Sequence, residues 1–286
     1  LDPRAIDPVD FRAAQHRHWD SAAVGWKEWS EFNDRADGHI SERLVELAGV
    51  ESGSRVLDVA AGYGEPALTA ARRAGPEGRV VATDISAEML AFGRERAAAA
   101  GLGNVEFMES DAAGLDFPHE SFDAAVSRWG LIFEPDAEAA AERIRGFLKP
   151  DARFAIASWG EPDQVPFLSI PMRTTRERLG LPPPPEGTPG PLSRPTPDAI
   201  GGLLEGGGFS NVAVERDEVT FEFASPEQFT AYVRAIAAPI RAMIEQHAGD
   251  AQEEAWDAIT RAAADAGGGS GPLTLSNTVL LASGTA

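Results

Sequence analysis

No cysteine occurs in the 286 residues. That excludes disulfides, thiolate metal sites and a cysteine nucleophile, and it fits a reducing compartment. Five scattered histidines give no metal-ligand spacing, and carboxylates are too plentiful to point to a metal. No metal is expected. Long apolar runs are also missing: none approaches the ~18 residues that suggest a membrane span. The start of the sequence lacks the basic, apolar, small-residue succession of a secretory signal. Basic residues are outnumbered, 25 Lys and Arg against 45 Asp and Glu, for a formal net charge of −20. Such a chain repels nucleic-acid phosphates and anionic membrane surfaces. These absences lead to an expected soluble, cytoplasmic protein with a small-molecule partner, no nucleic acid and no membrane span. A homo-oligomer is left open.

What is present is core material and a repeating rhythm. Hydrophobic residues make up 43% of the chain, and from Arg55 strand-like and helix-like stretches alternate. Alternation of this kind implies a parallel sheet with right-handed crossovers. The organising stretch runs from Val56 to Leu68. Val56, Leu57 and Val59 read as a strand buried on both faces, with Asp58 among them. The run breaks at Gly62 and Gly64 and restarts as a helix near Pro66, a residue suited to a first helical turn. Strand, glycine turn and helix in that order put free N–H groups at the carboxyl edge of a sheet, where open α/β sheets bind ligands. The second strand, Arg79–Asp84, ends in an acid roughly 20 residues beyond the turn, the spacing at which a carboxylate accepts ribose hydroxyls. The third, Val105–Asp111, ends in another acid. The fourth, Phe122–Ser127, follows a polar loop.

These four stretches resemble the class I S-adenosylmethionine-dependent methyltransferases, in particular the small-molecule enzymes of ubiquinone and menaquinone biosynthesis. The likeness is strongest over residues 40–160. It implies a Rossmann-like three-layer α/β sandwich: a seven-stranded, mostly parallel sheet with an antiparallel last strand. To this the sequence adds an N-terminal helical, aromatic arm (1–38). The methyltransferase domain (39–286) then carries a Pro-rich loop at 160–195 and a helical insertion at 225–266.

The resemblance also implies a cofactor, S-adenosyl-L-methionine, and places its parts. Asp58 acts on the ammonium of the amino-acid tail, directly or through water. Ala60, Gly62 and Gly64 form the turn, Asp84 takes the ribose, and Ile85 and Met89 lie against the adenine. Asp111 accepts from the adenine amino group, the Ala112 N–H donates to the ring, and Ser127 heads the loop near the sulfonium. Ala60 departs from the family, which has glycine there; one methyl is tolerated if its φ is negative. The same stretch argues against a dinucleotide site, since Ala60 and Glu65 replace two of the three glycines of G-x-G-x-x-G.

On the substrate side, Trp19, Trp26, Arg128, Trp129 and Phe133 are candidate pocket residues, with Trp29 and Phe32 as further arm aromatics. Each has an ordinary alternative: a staple to the core for the rings, a salt bridge for Arg128. In-line methyl transfer to oxygen, nitrogen or carbon relies on alignment and exclusion of water. A neutral hydroxyl acceptor needs a base, and His16 and His18 are the candidates, because Ser127–Phe133 contains no histidine. His39 reads as a capping or surface group ahead of an amphipathic helix. Two other functions stay open: an NAD(P)-dependent oxidoreductase, and a repurposed binder of the cofactor.

Overall fold

A computed structural model describes residues 7–185 and 187–286; the first six residues of the arm and Glu186 of the Pro-rich stretch lie outside the described residues. In chain order, α1 (Pro8–Glu28) and α2 (Ser30–Leu47) precede β1 (Arg55–Val59), α3 (Ala67–Ala74), β2 (Arg79–Asp84), α4 (Ala87–Ala99) and β3 (Val105–Glu109). Then come β4 (Phe122–Arg128), α5 (Ala137–Phe147), β5 (Leu148–Trp159), α6 (Pro166–Leu179), α7 (Pro197–Gly206) and β6 (Ser210–Phe223). The chain closes with α8 (Pro226–Ile236), α9 (Ala238–His247), α10 (Gln252–Gly267) and β7 (Leu273–Thr285).

The sheet order is β3-β2-β1-β4-β5-β7-β6. β1 pairs in parallel with β2 on one side and β4 on the other, Asp58 standing opposite Ala82 and Val126. β5 pairs in parallel with β4 and antiparallel with β7, Trp159 meeting Val279. The expected mostly parallel, seven-stranded sheet is therefore present. After β3 the chain returns to the far side of β1, so the topological switch lies between the carboxyl ends of β1 and β4. Ligand crevices of open α/β sheets form at such points.

The chain divides into two compact units, where the sequence suggested an arm and a single domain. One comprises Asp37–Gly160, Pro189–Asp217 and Val279–Ala286. Its core packs Leu57, Val59, Phe122, Ala125, Phe154 and Ile156 of the sheet with Ala140, Ile144, Ile200 and Leu203 of the helices. Residues buried on both sheet faces explain the continuous apolar runs of β1, β2 and β4. Helix starts follow the sequence signals. The side chains of Ser86, Asp136 and Thr196 accept from the N–H groups of Met89, Ala139 and Ala199, filling otherwise orphaned donors.

The other unit holds the segment ending at Ala36 together with Glu161–Thr188 and Glu218–Thr278. Its centre is aromatic. Phe32 stacks on Phe221 at 5.9 Å, Phe167 lies 4.5 Å from Phe221, and Trp29 meets Tyr232 edge-on at 5.1 Å. Tyr232 donates to Asn33, and buried Asn277 accepts from the Phe167 N–H while donating to Val219 and Leu275 carbonyls. Helices α1 and α8 touch at Gly25, where a Cβ would stand 2.3 Å from the Ala235 carbonyl oxygen. Only glycine fits so close a crossing. Trp29 and Phe32 are thus staples of this unit.

Two local expectations are corrected. His39 does not precede a helix but lies within α2, which begins at Ser30. The stretch 160–195 is not loop throughout, because α6 occupies Pro166–Leu179. Pro166 sits at its first position, and buried Phe167, Ile170 and Thr175 anchor the helix despite the interior Pro171.

Candidate active site

The site is built at the end of β1. Three backbone positions in a row of five take left-handed values: Ala60 (φ 61°), Gly62 (φ 54°) and Gly64 (φ 109°). The condition placed on Ala60 is therefore not met. An alanine held there costs about 1–2 kcal/mol relative to an ordinary backbone. Its methyl occupies the space beside Gly130, where a Cβ would fall 2.2 Å from the Ala60 Cβ. The turn after β1 and the loop after β4 therefore close on each other at the switch point. Nothing lies within 4 Å of the place a Gly62 Cβ would take, so that side of the turn faces open space.

Asp84 holds the turn. Its two oxygens accept from the Gly62 N–H at 2.8 Å and the Ser86 N–H at 2.9 Å. The carboxylate is buried. Ile85 is half-buried beside it and Met89 is buried in the first turn of α4. At the end of β3, Asp111 folds its carboxylate back onto the Gly114 N–H, so part of its accepting capacity serves its own turn; Ala112 is buried there. Glu65, whose sequence position would face a pyrophosphate, instead turns into α3, accepting from the Thr69 hydroxyl at 2.8 Å.

Asp58 is different. Its side chain is fully buried, and neither carboxylate oxygen has a hydrogen-bond partner among the described residues. Burial raises its pKa well above the usual aspartate value. The Ala67 N–H, close but without hydrogen-bond geometry, and then Arg128 pull down, while Glu65 and Asp84 push further up.

Arg128 closes β4. It is buried, donates to Asp37 of α2 at 2.8 Å and to the Tyr63 hydroxyl at 3.2 Å, and lies 5.0 Å from the Trp129 ring. Burial opposes its charge, but Asp37, Tyr63 and Glu65 outweigh that, and its pKa is raised. Of the two sequence readings, the salt bridge is the one observed. Asp37 was missed because a single acid in a charged helix carries no sequence signal. Trp129 takes φ 57°, an outlier for a bulky residue. Its ring stacks on Trp159 at 4.5 Å and 4°, and its buried indole N–H has no partner among the described residues. Ser127 is buried and accepts from the Leu131 N–H. Phe133 ends the short 3-10 turn Leu131–Phe133.

The end of the Pro-rich segment is tied to that turn. The Ile132 carbonyl accepts from the Gly190 N–H and the Ser193 hydroxyl, and the Arg194 carbonyl accepts from Ser158 of β5. The residues expected from the arm lie in the other unit. Trp19 and Trp26 have ring centroids 6.3 Å apart. His16 pairs with Asp20 at 3.2 Å. His18 has its pKa lowered by burial, then by Arg17 and Arg241, and its buried Nδ1 has no partner among the described residues.

Asp84 accepts through both oxygens, and ionised carboxylates at strand ends suit hydroxyls, amino groups and ammonium groups. Phosphates would meet repulsion. Among the described residues no group of three or more His, Asp or Glu could hold a metal ion. No described helix is long and apolar enough to cross a membrane.

Residues 56–151 match the family model of a methyltransferase domain. The chain is 41% identical over 119 residues to the ubiquinone/menaquinone biosynthesis C-methyltransferase UbiE of Pseudomonas putida; the match covers 41% of this chain and 46% of the relative. The chain thus matches about half the length of that curated relative. A putative methyltransferase of Bacillus halodurans superposes with a TM-score of 0.57 at 16% identity, over 86% of this chain and 97% of that one. Phosphoethanolamine N-methyltransferase 2 of Haemonchus contortus, solved with S-adenosyl-L-methionine, gives 0.52 at 20% identity over 86% and 52%. These two likenesses show the fold.

Proposed function

We propose that this protein, whose residues 56–151 match a methyltransferase domain, is a class I methyltransferase that transfers a methyl group from S-adenosyl-L-methionine to a small molecule, a specialised metabolite. The observation that carries the reading is the turn at Gly62, open on one side and held by the Asp84 carboxylate, with Asp58 in the strand before it and Asp111 just beyond the end of β3. Asp84 would hold the ribose hydroxyls, Asp111 and the Ala112 N–H the adenine, and Asp58 the ammonium of the tail. Ile85 and Met89 would lie against the base, and Ser127 near the sulfur.

The cofactor, when bound, supplies a methyl group on a cationic sulfur that leaves as a neutral thioether. The protein's part is to align and to exclude water. Arg128, fixed by Asp37 and Tyr63, sets the backbone at the end of β4. Trp129, Trp159 and Phe133 line the acceptor side, and the segment Gly190–Arg194 closes over them. Trp19 and Trp26 are further candidates for substrate contact.

The likeness to a C-methyltransferase of ubiquinone/menaquinone biosynthesis favours a carbon acceptor. Such a carbon needs no protein base at the transfer step, which agrees with the loop Ser127–Phe133 carrying Arg128 as its sole charge. For a hydroxyl acceptor the candidate bases are His18, whose pKa is lowered by burial, and His16, paired with Asp20. A binder that retains the cofactor without methyl transfer is the second reading. Nucleic acid is not among the proposed partners, given the charge of −20.

The test is release of S-adenosylhomocysteine across hydroquinones, phenols and amines. Turnover on a hydroquinone, with methyl on ring carbon, supports the proposal. Tight cofactor binding with no release on any acceptor favours the binder. Tight NADPH binding with no binding of the methyl donor overturns both.

A further inference from the structure

Asp58 sits beneath the glycine turn in a setting that makes a bare negative charge costly. The groups around it come from every element that packs there. The turn contributes Glu65, whose carboxylate lies with Thr69 and near Arg72 and Arg96; β2 contributes Asp84; β4 contributes Arg128. Two of these neighbours are acids, both with partners of their own. The cation, Arg128, is already matched by Asp37 at 2.8 Å. A buried carboxylate with no hydrogen bonds and no spare counter-charge is more stable with its proton on.

We propose that Asp58 is a proton-coupled receptor for a cationic ligand. It carries a proton in the free protein and releases it to solvent when the ammonium-bearing tail of the cofactor docks. The O–H bond of the carboxyl breaks, the proton passes to buffer, and the carboxylate left behind faces the incoming positive charge. The charge balance of the buried site is kept. This rests on the S-adenosylmethionine reading of the turn and adds to it a specificity device: a neutral nucleoside gains nothing from Asp58, whereas a ligand with an ammonium does. Linkage sets the sign. A ligand that favours the ionised form binds more tightly as pH rises, by up to about tenfold per pH unit, until the free protein itself loses the proton.

The experiment is titration calorimetry of the full chain with S-adenosylhomocysteine, which has the ammonium but no sulfonium. It is repeated in buffers of different ionisation enthalpy over mildly acidic to alkaline pH. The expected result is release of about one proton per ligand at the lower pH values, fading at the higher ones. Adenosine on the same protein should show none, and Asp58→Asn should abolish the release with S-adenosylhomocysteine. Heats independent of buffer at every pH, with S-adenosylhomocysteine bound, overturn the coupling and leave the methyltransferase reading intact. Failure of S-adenosylhomocysteine to bind at all overturns both. The adenosine comparison uses unmodified protein, so a variant that fails to fold does not spoil the test.

Discussion

The Asp84 carboxylate accepts the Gly62 N–H at 2.8 Å, so the acid at the end of β2 holds the turn at the end of β1 from the side. One residue therefore shapes the turn, and under the proposed function the same residue would take a ligand's hydroxyls. Asp84→Ala should weaken S-adenosylhomocysteine binding by about 1–3 kcal/mol through lost hydrogen bonds. It should also lower stability, because the Gly62 and Ser86 N–H groups lose their acceptor. Asp84→Asn retains a carbonyl oxygen and should fall between. Calorimetry and denaturant melts of the same samples read both effects; unchanged affinity in Asp84→Ala would remove this residue from the site.

Ala60 offers a test of backbone strain. At an ordinary φ, replacing alanine by glycine costs about 0.5–1 kcal/mol. Here φ is 61°, so Ala60→Gly should leave stability unchanged or raise it by up to about 1 kcal/mol. Urea unfolding decides; a clear loss would show that the methyl's packing on Gly130 outweighs the strain.

The buried pair Asp37–Arg128 should be intolerant of half-removal. Asp37→Asn leaves a buried guanidinium uncompensated and should cost about 3–5 kcal/mol, whereas Asp37→Leu with Arg128→Met should recover much of that. Both side chains are about 5% exposed, so the single-variant loss should vary little with salt. A loss that vanishes in high salt would argue for a surface-like pair.

Asp58 also predicts a pH dependence of folding. Its native pKa lies above the unfolded value, so between the two the native state binds more protons than the unfolded one. Stability from this group is present below the unfolded pKa and declines as pH rises through the native pKa, by at most about 1.4 kcal/mol per pH unit. Asp123 and Glu215, lowered in the fold by Lys149 and Arg43 among other groups, give the opposite slope at acid pH. The difference between wild type and Asp58→Asn isolates Asp58. The wild type should lose stability relative to the variant as pH increases; a flat difference contradicts the shift.

Much of the fold was legible because strand and cap signals are local. Val56–Val59, the acid at Asp84, and the caps at Ser86, Asp136, Thr196 and Ser225 are all written in short stretches. Helix α6 was not, since the interior Pro171 argues against it and the packing of Phe167 and Thr175 argues for it only once the chain has folded. The early start of α2 was hidden by its many charges. At the site, the acids could be named from the strand ends, but not what each one touches. The Asp37–Arg128 pair joins residues 91 apart, and the left-handed turn at Trp129 follows from packing on Trp159 rather than from any residue preference.

A crystal structure of the chain with S-adenosylhomocysteine tests the central assignment most directly. The account predicts the adenosyl group across Gly62, its ribose hydroxyls on Asp84, its base between Ile85 and Ala112, and its tail above Asp58. A ligand seated elsewhere, with Asp84 and Asp111 making no contact to it, would contradict the account.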